Sequence, residues 1–565
     1  MDSSLRSHYP TQEAPHRALQ CSDILHEIFQ HLYSLRFGEA KHLQYTLAQT
    51  ARVSKLFSQH ALDFLWKEIP SERTALNILP SFKAICEPIR SDQLMETWWP
   101  SVAMLEQWTY VRIFHSRSVD ISCVLKFVLS QSIGREPTLD ELDRLRQYTV
   151  RVRKVFLREK DQRNTRSQTI RHILGLLGEP LFPNLVSLVW ENFEATCEST
   201  VVEILSCIAT ATLRHLRLNH FSSSPQQDEF ERALLAASSI LISKSPDIRH
   251  VELRGTSWNV SYAAPLISSL KALDVLSLYP PVHPQQAIAL LEAGHDMTSL
   301  SLNLLSYHPT EAWPSSRICF RNLHRLCVTG DPLVVSRILG TSEWPAVRIL
   351  KAIIIKANKS SPPQHKMLQC LESIARAFSN SLWQVSLATR FTSDMTLKQI
   401  LWPLRDLHLL RVIDINLPKV PPCSSNDFRE TGFAWPKLEE FHLTGIWTPD
   451  FDQGLQAVLE LASVCPQLCI VNLPAMRLVP ASELNTYNLS SHGLEHVYFH
   501  GSLRDKPYND DFGPDEMWQL AILFESIFPK LQLGESCTPK GKSLQQDWKR
   551  LLEDMSSVRR RECNS

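Results

Sequence analysis

A short apolar phrase that recurs after residue 150 constrains the fold of this chain more than any other feature. In each copy an apolar residue is followed by two others, a second apolar residue, one other and a third apolar residue. The last two apolar positions are two residues apart, so their side chains lie on the same face of a β-strand. The copies begin at Val152, Leu185, Leu213, Ile248, Leu273, Met297, Leu323, Val347, Leu382, Leu410, Leu438, Leu468 and Leu494.

The residues between these phrases predict an alternation of strand and helix. The 309 residues from Leu185 to Leu494 divide into eleven steps of about 28 residues. Between the phrases lie segments whose apolar residues have helical spacing, and prolines stand at several joints where a helix ends and a strand begins. Four such helical segments begin at Val201, Phe230, His365 and Leu455.

The phrase and its period resemble the strand segment of leucine-rich repeats. This resemblance implies an α/β solenoid with its strands on a concave face and its helices on a convex face. The asparagine that usually follows the last apolar position in that family is absent, so we expect an irregular solenoid. Two steps of 35 residues, beginning at Leu213 and Val347, predict insertions.

Residues 19–69 precede the repeats and have the spacing of short amphipathic helices. Leu25, Ile28, Phe29 and Leu32 fall at i, i+3, i+4 and i+7, which places them on one stripe of a helix. Two further apolar stripes follow after a glycine turn. A segment of about fifty residues builds only a small core, so we expect part of these stripes to contact something else.

This segment resembles the F-box, the motif that docks a protein onto the Skp adaptor of a cullin-RING ubiquitin ligase. Ile24-Leu25, Ile28-Phe29 and Leu32 stand at the apolar positions that open the family pattern. Gln20-Cys21 departs from the Leu-Pro that usually precedes them, and this departure weakens one expected adaptor contact.

The second half of the segment extends the resemblance. Val53, Lys55 and Phe57 are similar to a later element of the F-box pattern, and Leu65-Trp66-Lys67 is similar to its closing Leu-Trp-Lys. The resemblance implies an adaptor-binding set, or the local core beside it, made of Ile24, Leu25, Ile28, Phe29, Leu32, Val53, Leu56, Phe57 and Trp66. The alternative is that these helices only cap the N-terminal end of the repeats.

The repeat phrase also predicts a binding surface. Residues that alternate with the buried leucines point to the opposite, concave face of the strands. They are polar, mixed in charge and include aromatic residues and arginine, a composition that suits recognition of a protein segment. An ordinary solvated face is the alternative. The candidates for substrate binding are His215, Arg217, His250, Arg254, Tyr279, Arg325, Asp414, Glu440, His442, His496 and Tyr498.

Composition excludes several classes of function. Lys and Arg together number 59, as do Asp and Glu, so no bulk charge favours nucleic acid or an anionic membrane. No apolar run reaches the roughly 18 residues of a membrane span. The thirteen cysteines show no repeating spacing, which fits reduced thiols better than disulfides. We therefore expect an intracellular protein, cytoplasmic or nuclear.

Catalytic and metal-binding motifs are not convincing. Gly534 and Gly541 are separated by six residues, whereas a phosphate-binding loop requires four. His492, His496 and His500 straddle a predicted strand, so a metal site is not expected there. We expect no catalytic residue, no cofactor and no metal.

The sequence divides into five predicted segments, and the two resemblances together imply a function. Residues 1–18 form a disordered N-terminus, 19–70 a helical F-box-like domain, 71–149 a helical linker, 150–533 a leucine-rich-repeat solenoid, and 534–565 a C-terminal capping helix and tail. The implied function is substrate recognition in a Skp-cullin-F-box ubiquitin ligase. The F-box would bind the Skp adaptor, and through it a cullin, while the repeats bind an unknown protein target. A repeat scaffold without any ligase is the alternative.

Three segments rich in Pro, Ser and Asp are expected to be mobile loops. They are residues 358–365, 421–427 and 501–515.

Overall fold

The computed structural model describes the helical start of the chain and the repeats that follow. The described residues are 21–34, 40–69, 75, 137–158, 175–178, 180–191, 198–220, 227–255, 260–293, 296–304, 318–354, 364–389, 395–421, 423–446, 454–474, 481, 491–499, 513–533 and 546–562. The chain divides into two compact units. The first contains residues 1–255 and 269–272, and the second contains residues 256–268 and 273–565.

The first unit begins with three helices, α1 (Ser22–Ser34), α2 (Ala40–Thr50) and α3 (Lys55–Lys67). Their shared core is small and apolar. Ser54 caps α3, because its hydroxyl accepts a hydrogen bond of 3.2 Å from the backbone N–H of Phe57. The buried members of this core are Leu25, Phe29, Leu47, Ala61 and Phe64.

A parallel sheet follows directly from these helices. Its strands pair in chain order, from β1 through β5, and helices lie between most of them in the sequence. The short strand β1 continues from α3 and pairs with β2, an edge pairing that the sequence did not predict. The elements are β1 (Glu68–Ile69), α4 (Leu139–Thr149), β2 (Lys154–Arg158), β3 (Ser187–Glu191), α5 (Glu198–Ile208), β4 (His215–His220), α6 (Gln227–Lys244) and β5 (His250–Gly255).

The second unit repeats the same alternation over a longer stretch. Nine of its described strands pair in parallel in chain order, and a separate two-stranded pairing joins β8 to β10. The elements are α7 (Ala264–Ser269), β6 (Val275–Val282), α8 (Pro284–Ala293), β7 (Ser299–Leu304), β8 (Ile318–Cys319), β9 (Arg325–Gly330), α9 (Pro332–Thr341), β10 (Ser342–Glu343), β11 (Ile349–Ile354), α10 (Gln364–Phe378), β12 (Gln384–Thr389), α11 (Leu397–Leu401), β13 (Val412–Lys419), α12 (Ser425–Gly432), β14 (Glu440–Ile446), α13 (Gly454–Val464), β15 (Ile470–Leu473), β16 (His496–Phe499), α14 (Pro514–Ile527) and α15 (Gln546–Glu562).

The register of the strands aligns the apolar positions of successive phrases. Leu350 of β11 pairs with Leu326 of β9 on one side and with Val385 of β12 on the other, and all three are fully buried. Helices cover this apolar face, as Phe428 of α12 shows by packing edge to face on Phe441 of β14, with ring centroids 5.9 Å apart. The buried ladder is therefore the core of the repeats.

The structure confirms the predicted α/β repeats, and the long parallel sheet is consistent with a leucine-rich-repeat solenoid. Each of the thirteen phrases lies at one of the strands β2–β7, β9 and β11–β16, and described helices lie between most of the successive strands. The two longer steps contain the helices α6, of 18 residues, and α10, of 15 residues. Extra length in these two steps therefore includes long helices on the covered face.

One expected loop is partly helical. Residues 421–427 were expected to be mobile, but Ser424 caps α12 and exchanges hydrogen bonds with Asp427. This reciprocal capping box satisfies two N–H groups at the helix start. The loop prediction rests on composition alone and does not take account of the Ser-x-x-Asp spacing that starts a helix.

Several predictions concern residues outside the described part of the chain. They include the N-terminal residues 1–18, most of the linker 71–149 apart from residue 75 and the segment 137–149, the glycine-containing segment 534–545, and His500. Within the described part, no helix is both long enough and apolar enough to span a membrane.

Helices α14 and α15 cover the last strand of the second unit. Trp548 of α15 is fully buried, its Nε1 donates a hydrogen bond of 3.1 Å to the carbonyl of Val497, and its ring packs on Phe499 at 5.0 Å. Phe524 of α14 contacts the same ring at 6.2 Å. The sequence predicts a capping helix within residues 534–565, and these contacts of α15 are compatible with that role.

We expect Trp548→Ala to destabilise this end of the second unit by about 3–5 kcal/mol, because it leaves a large cavity and removes a buried hydrogen bond. Thermal unfolding and hydrogen exchange of strand β16 measure the effect. Trp402→Ala is the control, since Trp402 is 41% exposed. Equal losses in the two variants would contradict the capping role.

Candidate functional site

Helix α1 carries two apolar faces. Leu25 and Phe29 are 0% and 2% exposed and lie in the core of the three helices, whereas Ile24, Ile28 and Leu32 are 42%, 41% and 38% exposed. The three exposed residues are spaced by four, so they form one stripe along the helix. The structure thus separates the predicted stripe into a buried part and a solvent-facing part.

The remaining predicted adaptor-binding residues occupy three different environments. Val53 lies in the turn between α2 and α3 and is 70% exposed. Leu56 and Phe57 are half-buried against the helical core, where the Phe57 ring packs edge to face on Phe29 at 6.2 Å. Trp66 faces α4 and packs on Tyr148 at 5.0 Å.

Strands β4 and β5 present a charged cluster on the face opposite the buried ladder. Arg217 of β4 and Arg254 of β5 both pair with Glu252, at 3.4 Å and 2.6 Å. Arg217 also donates a 3.2 Å hydrogen bond to the Oδ1 atom of Asn219. One carboxylate is therefore shared by two guanidinium groups.

Two histidines lie beside this cluster. His215 and His250 are register partners, and their ring centroids are 5.5 Å apart. The pKa of His215 lies below its ordinary value because partial burial disfavours the charged ring, and because His250 and Lys154 lie nearby. At neutral pH His215 is therefore an uncharged ring that can accept or donate a hydrogen bond.

The second unit presents a row of polar residues on the corresponding face. Asp414, His442, Asn472 and Tyr498 are register partners on adjacent strands from β13 to β16. Asp414 accepts a 2.9 Å hydrogen bond from the hydroxyl of Ser386. Adjacent strands lie about 4.8 Å apart, so this row is a continuous polar strip, in which Asn472 is buried and the other three residues are half-buried.

Further predicted residues border the strip. Glu440 lies 3.0 Å from the Nε2 atom of His442, and the ring of His496 stacks on Tyr498 with centroids 6.0 Å apart. Tyr279 and Arg325 lie on earlier strands of this unit and are exposed. The alternation of residues along the strands therefore identified the solvent-facing side, while the ion pairs became visible only in the structure.

His492 is a structural residue. It is buried, its Nε2 lies 3.1 Å from the carbonyl oxygen of Cys465, and its Nδ1 accepts a hydrogen bond of 3.1 Å from the N–H of Leu494. Both ring nitrogens are thus in use. Among the described residues, no group of histidine, cysteine or carboxylate side chains is arranged to hold a metal ion.

Three thiols, two of them buried and one half-buried, are poor nucleophiles. Burial raises the pKa of Cys370, Cys423 and Cys465 to about 12. Asp331 adds to the effect at Cys370, and Asp427 adds to it at Cys423. These thiols stay protonated at neutral pH, and the thiolate is the reactive form.

Comparison with known proteins adds little to this description. No protein-family model matches the chain, and no curated protein matches it. Among solved structures, the leucine-rich repeat-containing protein LegL7 from Legionella pneumophila is 10% identical with a TM-score of 0.34, over 67% of this chain and 98% of that protein. A protein from Bacteroides fragilis is 10% identical with a TM-score of 0.30, over 51% of this chain and 74% of that protein. TM-scores this low do not assign a function.

We expect the protein to lose stability in mild acid through His492. Burial lowers the pKa of this ring below the 6.5 of an unfolded histidine, although its hydrogen bond with Cys465 opposes the effect. The unfolded chain therefore takes up a proton more readily, and the free energy of unfolding falls as the pH drops below about 6.5 toward the folded pKa. A proton on Nδ1 would also face the N–H of Leu494.

Melting temperatures at pH 7.5 and pH 5.5 test this expectation. The difference between the two should be smaller in His492→Asn than in the wild type, because asparagine does not titrate. His324→Asn is the control, since His324 is exposed. An unchanged difference in His492→Asn would refute the assignment.

Proposed function

We propose that this chain is a substrate-recognition subunit of a Skp-cullin-F-box ubiquitin ligase. In this proposal α1–α3 bind the Skp adaptor, and through it a cullin. The strand face opposite the buried apolar residues, called the open face below, binds a protein target. The chain itself would catalyse no reaction. The resemblance of residues 19–69 to the F-box motivates the proposal, and the repeat architecture is compatible with it.

The observation that carries the proposal is the exposed stripe of α1. Ile24, Ile28 and Leu32 are partly exposed to solvent although the same helix buries Leu25 and Phe29. Contiguous apolar residues at a protein surface are typical of an interaction site, and spacing by four suits a helix that packs on a partner. Val53, which is 70% exposed in the same group of helices, adds a further apolar contact.

The attachment of the helices to the sheet also suits a receptor subunit. Strand β1 continues from α3 into the sheet, and Arg151 forms a 2.7 Å ion pair with Asp63 of α3. Trp66 packs on Tyr148 across the same junction. A ligase receptor must hold its target at a defined distance from the adaptor, and these contacts limit the motion of the helices relative to the first strands.

The open face suits a polar protein segment as the target. In the first unit this face carries two arginines that share one carboxylate, and in the second unit it carries Asp414, Glu440 and His442. Charges of both signs favour partners with complementary charges and reject others by repulsion.

We expect Ile24→Asp combined with Ile28→Asp to weaken binding to a purified Skp adaptor by roughly 100-fold, because two apolar contacts are replaced by desolvated carboxylates. Affinity measured by calorimetry with the full chain tests this expectation. The control is Ile446→Asp combined with Ile522→Asp. These two isoleucines are 69% and 46% exposed in the second unit.

The outcomes separate the two candidate functions. Adaptor binding that is lost in the α1 variant and kept in the control supports the ligase subunit. No binding by the wild type would leave a leucine-rich-repeat scaffold that binds a protein partner without any ligase. Circular dichroism of both variants checks that the helices remain folded.

A further inference from the structure

A cavity of about 460 Å³ opens where the N-terminal helices meet the first turns of the repeats. Helix α1 contributes His26 to its lining, α3 contributes Asp63 and Lys67, and the turn between α4 and β2 contributes Arg151 and Arg153. All of these residues belong to the first unit. A cavity of this size accepts a small organic molecule.

The charges in this cavity are unbalanced. Lys67, Arg151 and Arg153 are cationic, and Asp63 is the one acidic residue among the described residues of the lining. Its carboxylate is already engaged, since the Nε atom of Arg151 lies 2.7 Å from Asp63 Oδ1. Two positive charges therefore face the cavity without a compensating carboxylate in its described lining.

Of these cations, Lys67 gives the strongest argument for an anionic ligand. Its Nζ atom lies 5.1 Å from the ring centroid of Tyr33 and 5.5 Å from that of Phe64. Within the described part of the chain Lys67 forms no ion pair. Ring faces attract an ammonium group weakly, whereas an anionic oxygen forms a stronger, charge-assisted hydrogen bond with it.

The frame around the cations is held in place by hydrogen bonds. The N–H of Arg153 donates to the carbonyl of Lys67 at 3.0 Å, and the guanidinium of Arg153 donates to the carbonyl of Asn184 at 3.1 Å. The Nδ2 of Asn184 donates to the carbonyl of Val150 at 2.9 Å. These bonds engage carbonyl oxygens that would otherwise repel an anion, and they hold the cations in position before a ligand arrives.

We propose that this cavity binds a small phosphate-bearing molecule. Lys67 and Arg153 are its main partners, and the planar guanidinium group of arginine matches the geometry of phosphate oxygens. Such a ligand contacts α3 and the start of β2 at once, so its binding tightens the junction between the helices and the sheet. The proposal does not depend on adaptor docking.

Titration of the full-length chain with inorganic tripolyphosphate, followed by calorimetry, tests the proposal. We expect saturable binding that weakens with rising salt. Lys67→Gln combined with Arg153→Gln should lower the affinity by about tenfold or more, since two charge-assisted contacts are lost. Gln30→Glu places a carboxylate at another lining position, on the surface of α1, and should also weaken binding.

The control variant removes two cations elsewhere in the first unit. Arg232→Gln combined with Arg249→Gln gives the same change in net charge, and both arginines are exposed. This control should bind tripolyphosphate as the wild type does. No binding by the wild type, an equal loss in the control, or equal binding of citrate would overturn the proposal. Gln30→Glu keeps the test decisive if the double cavity variant does not fold.

Discussion

The stacking of buried apolar side chains from one parallel strand to the next is the interaction on which both units depend. Each strand pairs in register with its neighbours, so a leucine such as Leu326 lies beside the equivalent residues of adjacent repeats. A single repeat cannot bury its own apolar face, because a strand and a helix together are too small to enclose a core. The helices pack on this apolar face and bury it, so the positions of the helices depend on the strands.

The same register creates the open face. Side chains alternate along a strand, so a buried row necessarily produces a polar row on the other side. Substitutions in that polar row can change the charge of the surface without disturbing the core. In the first unit the row contains Arg217, Glu252 and Arg254, whereas in the second it contains Asp414, His442 and Asn472. The two units therefore carry different charges on this face.

Helix α1 and its junction with the sheet concentrate the proposed activities in one place. One side of the helix builds the small core, and the other leaves Ile24, Ile28 and Leu32 for a partner. Close by, α3 leads into β1 and borders the cationic cavity. An adaptor on α1 and a phosphate-bearing ligand beside α3 would both act on the segment that connects the helices to the repeats.

The amino-acid sequence by itself determined the periodic features of this protein. The apolar phrase identified thirteen strands and the solvent-facing residues between them, because alternation and helical spacing are local properties of the chain. Only the tertiary structure decided which side of α1 is buried, since Leu25 and Ile28 look equivalent until α2 and α3 are in place. The pairing of β1 with β2, the packing of Trp66 on Tyr148 and the cationic cavity join residues far apart in the sequence. No local pattern specifies such contacts, because they depend on which distant segments of the chain pack together in the folded protein.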